Sequence, residues 1–283
     1  MPYFLMGQSG RKLLRCDISL KLAYRDLAYK KYLVTGASSG LGLAICRQLL
    51  KIPGTKITAV ARNTAVLSQM DKARVYAQPL DVTIPQNVEA MLDKAMEHMQ
   101  GIDCIITCAG FGYYESFEGK SHEHINKIFQ TNVISPLYTL ERFLAKTKGE
   151  ITFVAISSML GKFGLPGMAL YSATKHALDG FFDSYRYEKP KRLTYITAYP
   201  IGLKTEFWQR IGNDIPLPKP LQSVDVAAFA ILRAIGQKKK RAYTSPMARV
   251  ALNINRLIPL LVPAYQHISK RKYDNWLRNR PNH

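Results

Sequence analysis

Between residues 32 and 246 the sequence switches repeatedly between two hydrophobic periods, and this alternation constrains the fold more than any other feature. Short β-branched runs stand at 32–35 (YLVT), 56–61 (KITAVA), 74–78 (RVYAQ), 102–107 (IDCIIT), 150–157 (EITFVAIS), 193–199 (LTYITAY) and 241–244 (RAYT). Stretches with helical spacing lie between most of them, at about 41–51, 64–72, 86–100, 122–147, 171–188 and 224–236. Strand, helix and strand in repetition imply a parallel sheet with helices on both faces. The inner runs are nearly continuous in apolar residues, as burial on both faces requires. Apolar residues make up 47% of the 283-residue chain, which suffices for such a core. The segment 212–222, GNDIPLPKPLQ, is too rich in proline for a regular element and predicts a loop or lid. Three parts follow: a basic extension over 1–31 that reads as strand or helix, one α/β domain over 32–246, and a basic amphipathic tail over 247–283.

The first strand runs into TGASSGLG, residues 35–42. Gly36, Gly40 and Gly42 allow a turn tight enough for backbone to approach an anion, and a helix begins at once. The amides and dipole at that helix start suit a pyrophosphate. Ser38, Ser39 and Leu41 complete the candidate contacts in the turn. A glycine turn after the first strand of an alternating chain predicts a Rossmann-type, doubly wound sandwich around a seven-stranded parallel sheet, with a dinucleotide at its edge. The second strand ends Ala61-Arg62-Asn63 with no acid to hold a ribose 2′-hydroxyl. Arg62 offers a guanidinium for a 2′-phosphate instead, so the expected cofactor is NADP(H). The alternative is that Arg62 is an ordinary solvated charge.

A tyrosine four residues before a lysine occurs three times: Tyr171/Lys175, Tyr185/Lys189 and Tyr187/Lys191. Residues four apart on a helix share a face, so each pair could act together. Only the first follows a serine at a strand end, Ser158, thirteen residues upstream. Parallel strands present their C-terminal ends at the edge where the glycine turn also lies, so Ser158, Tyr171 and Lys175 can converge there. In the other pairs Pro190 disturbs the helix, and the residues in the serine's place, Ser172 and Thr174, fall within the helix itself.

The ordered set TGASSGLG, LDVT (80–83), CAG (108–110), TNV (131–133), ISS (156–158), YSATK (171–175) and P-x-G-x-x-T (200–205) resembles that of the short-chain dehydrogenase/reductase family over about 32–246. The resemblance implies that Tyr171 is the general acid and base, and that Lys175 lowers its pKa and reaches the nicotinamide ribose. It also implies that Ser158 donates to the substrate oxygen, and that Asn132, in the helix 122–147, holds a water behind the lysine. Asp81 and Val82 would meet the adenine, Ala109 and Gly110 would line the cofactor, Pro200 and Ile201 would flank the nicotinamide, and Thr205 would hold the carboxamide or a phosphate. Asp81 has the alternative of capping a local turn, and Asn132 that of a buried helix polar group. Two departures stand out: Cys108 replaces the family's asparagine, and Ile201 separates Pro200 from Gly202.

The implied reaction interconverts a hydrophobic ketone or aldehyde and its alcohol. The apolar lid residues Leu203, Phe207, Trp208, Ile211, Ile215 and Leu217 motivate that substrate class, with simple lid packing as the alternative. A non-catalytic NADP-binding regulator or scaffold on the same fold is the other function class. The resemblance further implies a homodimer or homotetramer through the helices at 122–147 and 171–188.

The net charge is +20, and residues 236–283 hold eleven of the basic residues against one acid. No nucleic-acid motif accompanies this charge, so nucleic acid is not an expected partner. The tail joins an apolar stretch, LIPLLVPAY (257–265), to Lys270, Arg271, Lys272, Trp276, Arg278 and Arg280. That combination predicts a peripheral contact with an anionic membrane surface, or else packing over the pocket or on another subunit. The apolar patch in MPYFLMGQSG is too short for a secretory signal, and no run of ~18 apolar residues is present, so a cytoplasmic protein is expected. Cys16, Cys46, Cys104 and Cys108 lack metal-ligand spacing and are expected to be buried free thiols. The HEH run at 122–124 is expected to be a solvated cluster, with no metal site.

Overall fold

The computed structural model describes residues 26–212 and 214–279. The expectations for residues 1–25, Cys16 among them, and for Arg280 lie outside the described residues. Seven strands form one sheet: β1 (Lys31–Thr35), β2 (Lys56–Ala61), β3 (Val75–Pro79), β4 (Cys104–Thr107), β5 (Ile151–Ile156), β6 (Leu193–Tyr199) and β7 (Arg241–Tyr243). Their order is β3-β2-β1-β4-β5-β6-β7, and every pairing is parallel. The chain order reverses between β1 and β4, which opens a crevice at the C-terminal ends of these two strands.

Strand side chains alternate between two cores, as a period of two requires. Val34, Ile106 and Val154 face a cluster with Ile45 and Leu49 of α1 (Gly40–Leu49) and Ile231 and Leu232 of α7 (Val224–Gly236). Leu33, Ile105 and Phe153 face the other cluster, with Met91 and Leu92 of α2 (Pro85–Met99), Phe143 of α4 (Ser135–Lys146) and Phe182 of α5 (Ala169–Glu188). Burial on both faces explains the uniformly apolar strands.

The stretch 64–72 forms only a 3₁₀ turn, Leu67–Gln69, rather than a helix. Short-range side-chain bonds compete there: Asn63 accepts from Ala65 N at 2.9 Å, and Ser68 Oγ donates to Ala65 O at 2.9 Å. The expected helix over 122–147 is also broken. It consists of α3 (His122–Phe129), a π-helical turn (Gln130–Ile134) and α4, and Asn132 sits in the turn. The lid holds one short helix, α6 (Phe207–Ile211), and Leu203 bridges Gln222 across its base.

The tail forms two helices, α8 (Pro246–Leu257) and α9 (Leu261–Arg278). Pro263 lies in the first turn of α9, where its missing N–H has no intrahelical partner to lose. Trp276, expected at a bilayer interface, is buried instead. Its ring meets Tyr114 edge-on with centroids 4.8 Å apart.

Candidate active site

The β1–α1 turn closes because three positions lack a Cβ. Gly36 and Gly40 take left-handed φ values of +64° and +52°. A Cβ on Gly36 would stand 2.7 Å from Ala109 N, and one on Gly42 would collide with Gly36 O. The glycines therefore let the β1 turn, the α1 start and the β4 end approach one another. Ser39 is the extended N-cap of α1, and its side chain makes no capping bond, so the first amides are not tied up by it. Gly40 lies beneath Thr205, whose Cγ2 would be 3.4 Å from an added Cβ. This cradle fits the phosphates of a dinucleotide. Leu41 is half-buried against the core.

Arg62 is exposed at the end of β2, and no acid stands beside it at 61 or 63. Asp81 lies just past β3. Its Oδ1 accepts from Thr83 N at 2.9 Å and Thr83 Oγ at 2.7 Å, the local turn-capping arrangement. Burial raises the Asp81 pKa, but the Thr83 bonds and the Arg62 charge outweigh it and hold the carboxyl below its usual range. Val82 is buried in the core cluster shared with α2. From the β2 end to the β5 end is three strand spacings, about 14 Å, so a ligand touching both is elongated.

Ser158 follows β5 and caps the 3₁₀ turn Met159–Gly161, accepting from Leu160 N at 3.1 Å. Tyr171 is the third residue of α5, and Lys175 lies one turn further on the same face, with Nζ 5.5 Å from the Tyr171 ring centroid. Ser158 lies near enough to the Tyr171 hydroxyl to act on its titration. Lys175 Nζ donates to Ile156 O at 2.9 Å. The three side chains thus meet at the C-terminal end of β5. The rival pairs sit at the far end of α5, where Lys189 is the C-cap and Tyr187 is exposed.

Asn132 is buried in the π turn, a distortion common at functional sites. Its Oδ1 accepts from Phe111 N at 3.0 Å, and its Nδ2 donates to Phe111 O at 2.8 Å and Thr174 Oγ at 3.1 Å. Both amide protons are used, which leaves one lone pair on Oδ1. A Cβ on Gly110 would stand 3.1 Å from that oxygen and 3.8 Å from Lys175 Nζ, so Gly110 is the floor between them.

Burial sets the titration of the pair. It pushes the Tyr171 hydroxyl up to about 12, with Ser158 pulling the other way. It pushes the Lys175 ammonium down to about 8, against a smaller opposing effect of Cys108. Burial thus dominates both groups, and the opposing pull on Tyr171 comes from Ser158 where the lysine was expected to supply it.

Cys108 is half-buried, while Cys46 and Cys104 are buried, and all three are free. Hydroxyls tie the central strands where the family's asparagine is missing: Ala109 N donates to Thr35 Oγ at 3.2 Å, and Thr107 Oγ donates to Val154 O at 3.2 Å. Pro200 O, just after β6, accepts from Met159 N at 2.9 Å, and Ile201 beside it is half-buried. His124 is less solvated than expected. It stacks on Tyr113 at 4.0 Å and its Nε2 lies 2.7 Å from Glu115 Oε1.

Some contacts escape the sequence. Thr174, inside YSATK, donates to Tyr171 O at 2.7 Å and so links Asn132 to the tyrosine's helix turn. Phe207 of the lid lies 5.7 Å from the Tyr171 ring, and Gly112 makes room for both. Thr174 stands 42 residues from Asn132 in the chain, and an aromatic lid residue shows its partner only when folded.

The sheet order, the glycine cradle and the serine–tyrosine–lysine edge define a nicotinamide-dinucleotide oxidoreductase class. The chain belongs to the short chain dehydrogenase family, whose model matches residues 30–216. It is 32% identical over 220 residues to a hydroxysteroid 11-beta-dehydrogenase 1-like protein of Gallus gallus, covering 72% of this chain and 71% of that one. It is 31% identical over 206 residues to a 3-dehydrosphinganine reductase of Danio rerio, covering 67% of this chain but 61% of that protein's length. A short chain dehydrogenase from Burkholderia cenocepacia J2315, solved in complex with NADP, superposes with a TM-score of 0.70 at 25% identity, over 81% of this chain and 94% of that one. A second, from Burkholderia phymatum in complex with NAD, has the same fold at 17% identity and a TM-score of 0.70, over 82% and 96% of the two chains.

Proposed function

We propose that this chain is an NADPH-dependent reductase that interconverts a hydrophobic ketone or aldehyde and its alcohol. The observation that carries this reading is the meeting of Tyr171, Ser158 and Lys175 at the end of β5, beside the glycine cradle. When bound, the nicotinamide supplies the hydride. In the reducing direction Tyr171 gives its proton to the substrate oxygen as negative charge builds there. Ser158 donates a hydrogen bond to the same oxygen. The Lys175 ammonium counters the phenolate left on Tyr171, and the free lone pair of Asn132 Oδ1 holds a water for the returning proton.

NADP(H) is favoured over NAD(H) by Arg62 and by the lack of an acid at 61–63. Gly36, Ser38, Ser39, Gly40, Leu41 and Gly42 would hold the pyrophosphate, Asp81 and Val82 the adenine side, and Ala109, Gly110, Pro200, Ile201 and Thr205 the nicotinamide side. Phe207 packed on Tyr171 and the buried Ile215 favour an apolar substrate. The same reading includes a cytoplasmic setting with a peripheral membrane contact, and assembly as a homodimer or homotetramer through α3–α4 and α5. Turnover of NADPH and of NADH over a panel of ketones tests it. The reading expects NADPH consumption that grows with the apolar size of the ketone; consumption of neither cofactor with any of them would remove it.

A further inference from the structure

The two tail helices are held very differently. Helix α9 is fastened to the body: Gln266 Nε2 donates to Gly164 O at 2.9 Å, Tyr265 meets Phe163, and Tyr273 and Trp276 pack on Tyr114. Helix α8 buries none of its residues. Met247, Val250, Ile254 and Leu257 recur at intervals of three and four, so they share one face. All four are exposed, Met247 by 82% and Leu257 by 86%, and Ile258, Leu260 and Leu261 extend the apolar surface towards α9.

Beside that face, between α7, β7 and α8, lies a groove of about 420 Å³. Arg233, Lys239, Arg241 and Arg249 line it with no acid, and Val250 belongs to both groove and apolar face. Of these four cations, Arg241 pairs with Asp183 at 2.5 Å, and Arg249 lies over the Tyr243 ring.

We propose that α8 and this groove dock the chain on an anionic lipid bilayer, with the apolar face set among acyl chains and the groove over anionic headgroups. An exposed apolar stripe next to clustered Arg and Lys is the pattern of a helix lying in the interface. The charge selects the occupant. Residues 236–283 hold eleven basic residues and one acid, so a second copy meeting this face would bring like charge against like. An anionic surface neutralises it. Among the described residues no helix is long and apolar enough to cross a membrane, so the contact is lateral. Because α9 packs on 163–167, just ahead of α5, docking would favour ketones dissolved in the bilayer. That last step rests on the reductase reading; the docking does not.

Co-sedimentation of the full chain with vesicles of phosphatidylcholine, with and without phosphatidylglycerol, tests this. Binding should be at least tenfold tighter with phosphatidylglycerol present. A Val250→Asp/Leu257→Asp chain should lose at least tenfold, and an Arg233→Gln/Arg249→Gln chain should lose the preference for the anionic lipid. Both should keep the parent's circular dichroism and its turnover of a water-soluble ketone. A parent that ignores anionic vesicles, or an aspartate variant that binds like the parent, overturns the proposal. So does a parent dimer, indifferent to vesicles, that the aspartates split into monomers. A parent that binds vesicles but reduces no ketone upholds the docking and removes only the reductase reading.

Discussion

Asn132 and Phe111 exchange two hydrogen bonds, side chain to backbone, at 3.0 and 2.8 Å. The loop after β4 is thereby pinned to the π turn, and Gly110 is fixed between Asn132 and Lys175. An Asn132→Leu chain would leave both Phe111 backbone groups without these partners. Each buried group left unsatisfied costs about 1–3 kcal/mol, so a loss of about 3 kcal/mol in urea unfolding is expected. An unchanged midpoint would mean that water replaces the amide.

The Arg62 guanidinium faces no acid at the β2 end, though Asp81 feels its charge. An Arg62→Ala chain should bind NADPH more weakly by about ten- to a hundredfold, the size of a lost hydrogen bond to a charged group, and bind NADH as before. Fluorescence titration with both cofactors reads this. The Asp81 pKa should rise in the same chain.

Gly42 has no room for a methyl group, because Gly36 O occupies the place. A Gly42→Ala chain must open the turn, so NADPH affinity should fall at least tenfold. Parent-like affinity would show that the cradle does not hold the cofactor.

Lys175 is held down at about 8 by burial, below its ordinary 10.5. Below pH 8 both folded and unfolded chains carry the proton, and the burial cost is fully present. Between pH 8 and 10.5 the unfolded chain binds more protons, so the parent gains stability as pH rises. A Lys175→Met chain lacks this gain. The stability difference should therefore move in the parent's favour across that window, as read by urea unfolding at several pH values. A constant difference would mean that Lys175 titrates as if exposed.

The sheet was legible because two-sided burial leaves strands as apolar runs with helical text between them, and all seven appear within a few residues of their places. The cradle was legible because only glycine satisfies its contacts, and the Tyr171 edge because strand-end serine and helix-start tyrosine must share one rim. The π turn was not, because Gln130–Ile134 has the same helical spacing as its flanks and is set by what Asn132 bonds to across the fold. The burial of Trp276 was hidden for the same reason: its partner Tyr114 lies 162 residues away. The titration of Tyr171 and Lys175 depends on how completely both are enclosed, which no local pattern records.

The central claim is that Tyr171 moves the proton. Single-turnover reduction of a ketone by NADPH should slow by about 10²–10⁴ in a Tyr171→Phe chain, the range for a positioned general acid, while NADPH affinity stays within a few-fold of the parent. A phenylalanine chain that turns over at the parent rate with cofactor bound would contradict the account.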